Sequence, residues 1–121
     1  MTPTPELVAR LRRFLGEKIP PGKTETDTRF TDAELEDLLR ESETIYGAAA
    51  LGWTEKAAMI QHEMGEIEET STGQESYRLV QLKDRLAYAL SMAKEYEAKD
   101  KEERNQGAST LLLSVKRPEV L

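Results

Sequence analysis

The sequence contains no cysteine, one histidine, one tryptophan and two phenylalanines, and each scarcity closes a class of function. Without cysteine there is no disulfide framework, no thiolate nucleophile and no Cys-bearing zinc site. His62 is the only base of its kind that a serine nucleophile could use, and no Gly-x-Ser-x-Gly elbow, P-loop or dinucleotide fingerprint accompanies it. Aromatics make up only 6% of the chain while charged residues reach 33%, against roughly 25% in ordinary soluble proteins. Apolar material for a thick core is therefore short, and a lean helical domain with a long arm is the architecture that fits. No apolar run approaches the ~18 residues of a bilayer span. The opening Met1-Thr2-Pro3-Thr4-Pro5 lacks a basic flank followed by an apolar block, so the expectation is a soluble protein retained where it is made. Basic residues are outnumbered, 17 against 23, for a net charge of -6. Such a chain gains nothing from neutralising phosphates, which disfavours a dedicated nucleic-acid gripper.

A length of 121 residues suits one domain. Thr4 before Pro5 is a cap-and-proline start, and Leu7, Val8, Leu11, Phe14 and Leu15 recur at helical spacing until Gly16. Arg10, Arg12 and Arg13 are placed on the outer face of this first helix, as a solvated face or as partners for the acidic start of the next. Residues 19–28 carry prolines, glycine and aperiodic polar residues, and read as an exposed loop. Thr31 then begins a capping box with Glu34, flanked by the staple pair Phe30 and Leu35. Asp32, Glu34, Glu36 and Asp37 add negative charge where the helix dipole favours it.

From Leu35 to Trp53 the apolar residues keep a helical stripe through Leu38, Leu39, Ile45, Tyr46, Ala49 and Ala50, and Ala57 to Met64 continue it. Gly47 and Gly52 each cost about 1 kcal/mol in a helix interior. With Ala48, Ala49 and Ala50 between them, they indicate a close helix crossing sealed by Trp53; one bent helix and two helices both satisfy the pattern. Residues 65–75 read as a polar loop in which Ile67 permits a brief extended piece. The last helix is placed at Glu75–Arg104, its buried stripe formed by Leu79, Leu82, Leu86, Ala89, Leu90, Ala93 and Tyr96. After Asn105-Gln106-Gly107 come Leu111, Leu112, Leu113 and Val115, then Val120 and Leu121. A tail this apolar does not stay in water without cost, and it is expected to dock as an extended arm on its own bundle or on another chain. The reading is thus all-α: a helical bundle over 1–104 and an arm over 105–121.

Two candidate chemistries have plainer alternatives. His62 and Glu66 share a helical face at i,i+4, but a metal site needs further fixed ligands, and the Glu of a Glu-x-x-His motif is replaced by Met59. Glu34, Glu36, Asp37, Glu41 and Glu43 read as a solvated acidic surface rather than a general acid/base pair. Neither a catalytic residue, nor a cofactor, nor a metal is expected.

The order of features resembles the head-tail connector (portal adaptor) proteins of tailed bacteriophages. Four pieces carry the likeness across most of residues 5–98. They are the Leu7-Val8-Ala9-Arg10-Leu11-Arg12 helix, the Phe30-Thr31-Asp32-Ala33-Glu34-Leu35 entry, the small-residue stretch from Tyr46 to Ala58 around Gly52-Trp53, and the final helix from Leu82 to Tyr96. The resemblance implies a non-enzymatic structural protein of the virion, present in host cytoplasm during assembly. It implies a self-assembled ring that binds the portal protein on one side and the next neck or tail protein, a stopper or terminator, on the other, while DNA passes through without specific binding. It also implies that Leu111, Leu112, Leu113, Val115, Val120 and Leu121 form the portal-docking arm. The alternative from the residues themselves is a small cytoplasmic helical regulator or chaperone that binds a partner peptide. An enzyme using carboxylates near His62 is a third class.

Overall fold

A computed structural model describes residues 1–19, 21–22, 28–69 and 75–120; side chains 69, 75–76 and 107–120 lie outside that description. Most of the loop read over 19–28 and all of 70–74 fall outside it as well. Among the described residues the fold is all-α: α1 (Pro5–Phe14), α2 (Asp32–Arg40), α3 (Ile45–Glu69) and α4 (Glu75–Val120).

Local chemistry sets the ends of the first two helices. The Thr4 hydroxyl accepts the Leu7 amide at 3.2 Å. After Phe14, Gly16 takes φ +68°, the Gly16 amide donates to the Arg13 carbonyl and the Glu17 amide to that of Arg12. That bonding pattern is a Schellman stop, which needs a left-handed residue where Gly16 stands. Thr31 and Glu34 form the reciprocal capping box expected of them, at 3.2 and 3.0 Å.

The central region is two helices. The Ser42 hydroxyl donates to the Leu38 carbonyl at 2.8 Å as α2 ends, and Thr44 caps α3 by accepting the Gly47 amide at 3.0 Å. The small-residue stretch does serve close approach. A Cβ at Gly52 would come within 2.6 Å of the buried Leu15 side chain, and one at Gly47 within 3.3 Å of Asp100 on α4. α3 and α4 pack along each other, and α1 and α2 close the core, which includes Leu11, Leu15, Phe30, Leu35, Leu39, Ala48, Ala49, Ala57, Leu82 and Ala89. Phe14, Tyr46 and Tyr96 stack at 5.4–6.3 Å and join α1, α3 and α4.

Four expectations are corrected. Residues 65–69 are helical, because α3 continues through Gly65 to Glu69; Ile67 is a core residue there, and its burial outweighs the propensity cost of one glycine. α4 does not stop at Arg104 but runs to Val120, so the segment read as an extended arm has a helical backbone. A single glycine at 107 costs about 1 kcal/mol and does not terminate a helix whose following residues include three leucines. Leu90 is exposed; it lies about 100° around α4 from Ala89, beyond the strip that faces α3. Arg12 is buried rather than on an outer face.

Candidate functional site

Two of the buried polar residues, Arg12 and Glu17, anchor a network that positions the surface around it. Arg12 donates to Asp32 Oδ1 through Nη2 at 2.7 Å and Nε at 3.1 Å, and to Thr28 Oγ1 at 2.9 Å. Partnership with the acidic start of α2 is therefore the outcome for this arginine, and α1 is tied to α2 by it. Glu17, immediately after the glycine stop, accepts the Phe30 amide at 2.9 Å and faces Lys56 of α3 at 2.8 Å. Lys56 also donates to the Leu15 carbonyl at 2.7 Å. Burial alone would raise the Glu17 carboxyl, yet the Lys56 ammonium and the Phe30 and Arg29 amides hold it below the usual 4.5.

With Phe30 and Lys56 fixed, Arg29 and Trp53 form the wall of an open cleft of ≈ 380 Å³ between α3 and α4. Ile60 and Ala89 give it an apolar floor, and Arg85 and Tyr88 supply the facing rim. Trp53 is locked from behind by its indole N–H, which donates to the Phe14 carbonyl at 3.1 Å. Its ring meets Tyr88 edge-on at 5.5 Å, and Lys56 lies over it at 4.9 Å. Tyr88 is nonetheless 58% exposed. Arg29 and Arg85 are exposed at the mouth, opposed within the lining by Asp84. An apolar floor with aromatic walls, rimmed by guanidinium groups, suits an acidic, partly apolar protein surface.

A second surface has the opposite character. Glu34 and Glu41 flank Glu55 closely enough that Glu55, already disfavoured as an anion by partial burial, has its pKa raised by their charge as well. Leu51, 39% exposed, stands one helical turn before Glu55 on α3. Glu36 and Asp37 are instead paired with Arg40, and Glu43 with Arg104. Glu55→Gln is expected to raise the melting temperature slightly at pH 7. The sign follows from the raised pKa: the native state holds this proton more tightly, so the anion's penalty is present above the folded pKa and vanishes as Glu55 protonates. The gain should accordingly shrink in melts as the pH falls through the raised folded pKa and vanish below the usual 4.5.

No family model, curated protein or solved structure matches the chain. The residues singled out from sequence divide accordingly. His62 is 79% exposed and pairs with Glu66 at 3.0 Å; no group of three His, Cys, Asp or Glu placed to hold a metal occurs among the described residues. Leu111, Leu112, Leu113, Val115 and Val120 lie on α4 where side chains are outside the description, as does Leu121 altogether. The cleft was missed, because Arg29 belongs to an aperiodic stretch and Arg85 to the polar side of α4. Among the described residues no helix is long and apolar enough to cross a membrane.

Proposed function

We propose that this protein is a structural head-tail connector of a tailed phage or phage-like particle, a ring-forming adaptor between the portal and the next neck or tail protein. The observation that carries the reading is the disposition of α4. It has 46 residues, about 69 Å at 1.5 Å per residue, whereas the last described core residue is Tyr96. A helix of this length is suited to reach a second protein. Repeated around a ring, such attachments add avidity without any one contact being strong.

The order of pieces on which the resemblance rests also favours this role. The opening helix, the capped entry and the small-residue crossing pack with α4 as one bundle, and Gly47 and Gly52 sit where close neighbours require them. The acidic surface of Glu34, Glu41 and Glu55 suits a channel through which DNA slides without sticking, since like charges repel phosphate. In this role the protein is part of the virion, present in host cytoplasm during assembly, and performs no catalysis. Leu111, Leu112, Leu113, Val115, Val120 and Leu121 are assigned to the portal contact.

Deletion of residues 107–121 tests the assignment. Circular dichroism and melting should show a folded bundle, because every described core residue precedes the cut, while co-sedimentation with portal-bearing particles should be lost. A truncated protein that still joins the particles would contradict the portal role of this segment. A second reading, a regulator that buries a partner peptide, is favoured by the aromatic cleft between α3 and α4; it predicts a monomer or dimer whose cleft is filled by a foreign helix.

A further inference from the structure

The N-terminal part of α4 carries large apolar side chains that the bundle does not cover. Tyr77 is 79%, Val80 59% and Tyr88 58% exposed. At about 100° per residue they fall, together with Asp84, within a strip about 80° wide. Tyr88 and Asp84 also line the cleft, with Trp53 and Ile60, so row and cleft are continuous over the ~16 Å of helix from Tyr77 to Tyr88. The same stretch is basic in an acidic chain. Among residues 77–94, Arg78, Lys83, Arg85 and Lys94 are all exposed and stand against Asp84 alone. Arg29 joins them at the cleft mouth, whereas Lys56 is already neutralised by Glu17.

We infer that row and cleft together are the docking surface for an acidic amphipathic helix of another protein. An aliphatic side chain of that helix sits in the cleft on Ile60 and Ala89, its carboxylates pair with Arg85 and Arg29, and its next turns lie on Val80 and Tyr77. A helix fits better than an extended peptide. No sheet edge exists among the described residues to pair with a strand, and a helix satisfies its own backbone polar groups while it crosses an apolar row. The anchor is aliphatic rather than planar, because Trp53 is only 8% exposed, with Lys56 over its ring and Tyr88 edge-on to it. Trp53 is therefore a wall and not an open stacking face, which also counts against single-stranded nucleic acid. So do Asp84 in the row and the net charge of -6. The chain's own residues 111–121 are a poor match, since they carry Lys116 and Arg117 against Glu119. The surface is set in advance: the Phe14 carbonyl holds Trp53, and Glu17 and the Leu15 carbonyl hold Lys56, which keeps the ordering cost of docking low. The inference goes beyond both functional readings. The adaptor reading places its portal contact from Leu111 onward, about 35 Å along α4 from Tyr88, and the regulator reading leaves the chemistry of the occupant open.

Trp53 is the sole tryptophan, so its fluorescence reports on the cleft directly. The full-length protein is titrated with an end-capped helical peptide, free of tryptophan, that has leucines at i, i+4, i+7 and i+11, glutamates beside them and alanine elsewhere. The expected result is a saturable change in Trp53 emission that weakens as salt is added. A peptide with lysine in place of each glutamate should bind roughly tenfold more weakly or worse, and one with the same composition but its leucines spread around the helix should not bind. Arg85→Glu should abolish the preference for the acidic peptide, and Tyr88→Ala should weaken its binding roughly tenfold; both residues are exposed, and the comparison of peptides on wild type depends on neither variant. Equal binding of the acidic and basic peptides, no saturable response, or binding indifferent to Arg85 and Tyr88 would overturn the proposal. Displacement of the peptide by a single-stranded oligonucleotide would overturn it in favour of nucleic acid. A change in Trp53 emission on diluting the protein alone would do so in favour of a second copy. Peptide binding without portal capture leaves this surface standing and removes the adaptor reading, whereas portal capture by a protein that ignores the peptide does the reverse.

Discussion

Glu17→Ala is expected to destabilise the protein by about 3–5 kcal/mol, the cost of breaking a buried ion pair by removing one partner. The pair qualifies as buried, with side-chain exposures of 8% for Glu17 and 13% for Lys56. The loss has two parts. The Phe30 amide, which donates to Glu17 Oε1, is left without that acceptor at the entry to α2, and Lys56 keeps only the Leu15 carbonyl as its described hydrogen-bond partner. Urea denaturation at pH 7 measures the effect. The gap to wild type should narrow in acid. A carboxyl held below 4.5 in the folded state contributes stability above that value and loses it as the pH falls through the lowered folded pKa. Substituting Glu17 and Lys56 together by apolar residues of similar volume should recover much of the loss, because the desolvation cost of both charges disappears with them. A Glu17→Ala protein as stable as wild type would show that the network does not hold α1 to α3.

Phe30→Ala is expected to cost a similar 3–5 kcal/mol. Phe30 is fully buried and is the largest of the fully buried side chains among the described residues, and it enters the core from the residue before the Thr31 cap. Its removal leaves a cavity next to a segment held by Glu17 and Thr28, so collapse into the void would require those hydrogen bonds to move. Since globular domains are stable by only about 5–15 kcal/mol, this variant should unfold at much lower denaturant. It should also lose the Arg29 side of the cleft, since Arg29 takes its position from the adjacent Phe30. A loss below about 1 kcal/mol in denaturation would mean that the Phe30 pocket is poorly packed.

Helix starts and stops were legible because their chemistry is local. Thr4, Gly16 and the Thr31–Glu34 box each bond within a few positions of themselves, so the residue types alone indicate the geometry. The close crossing was legible too, since Gly47-Ala48-Ala49-Ala50-Leu51-Gly52 has too little volume for any other use. What escaped the sequence depended on distant partners. The pairing of Arg12 with the acidic start of α2 was one of two readings open in the sequence, but its burial was not legible, since that depends on Asp32 and Thr28 being brought to it by the turn at Gly16 and Glu17. The break between α2 and α3 is an exception: it is made by local hydroxyl bonds, Ser42 to the Leu38 carbonyl and Thr44 from the Gly47 amide, which compete with apolar stripes on either side, so that one bent helix and two helices both fitted the sequence. Glycines 65 and 107 misled in the same way as each other. A lone glycine signals an end only when packing or capping agrees; the burial of Ile67 keeps the backbone helical past Gly65, and α4 continues past Gly107 into Ala108 and Leu111-Leu112-Leu113. The cleft combines a loop arginine, an aromatic of α3 and the polar side of α4, and no single periodicity connects them.

The adaptor account stands most directly on the mass of the purified protein in solution, measured alone and then with portal-bearing particles. The account predicts either a closed ring or a monomer that joins the portal in a symmetric stoichiometry. A strict monomer or dimer that ignores the portal would contradict it, and the family resemblance would then amount to shared helical patterning.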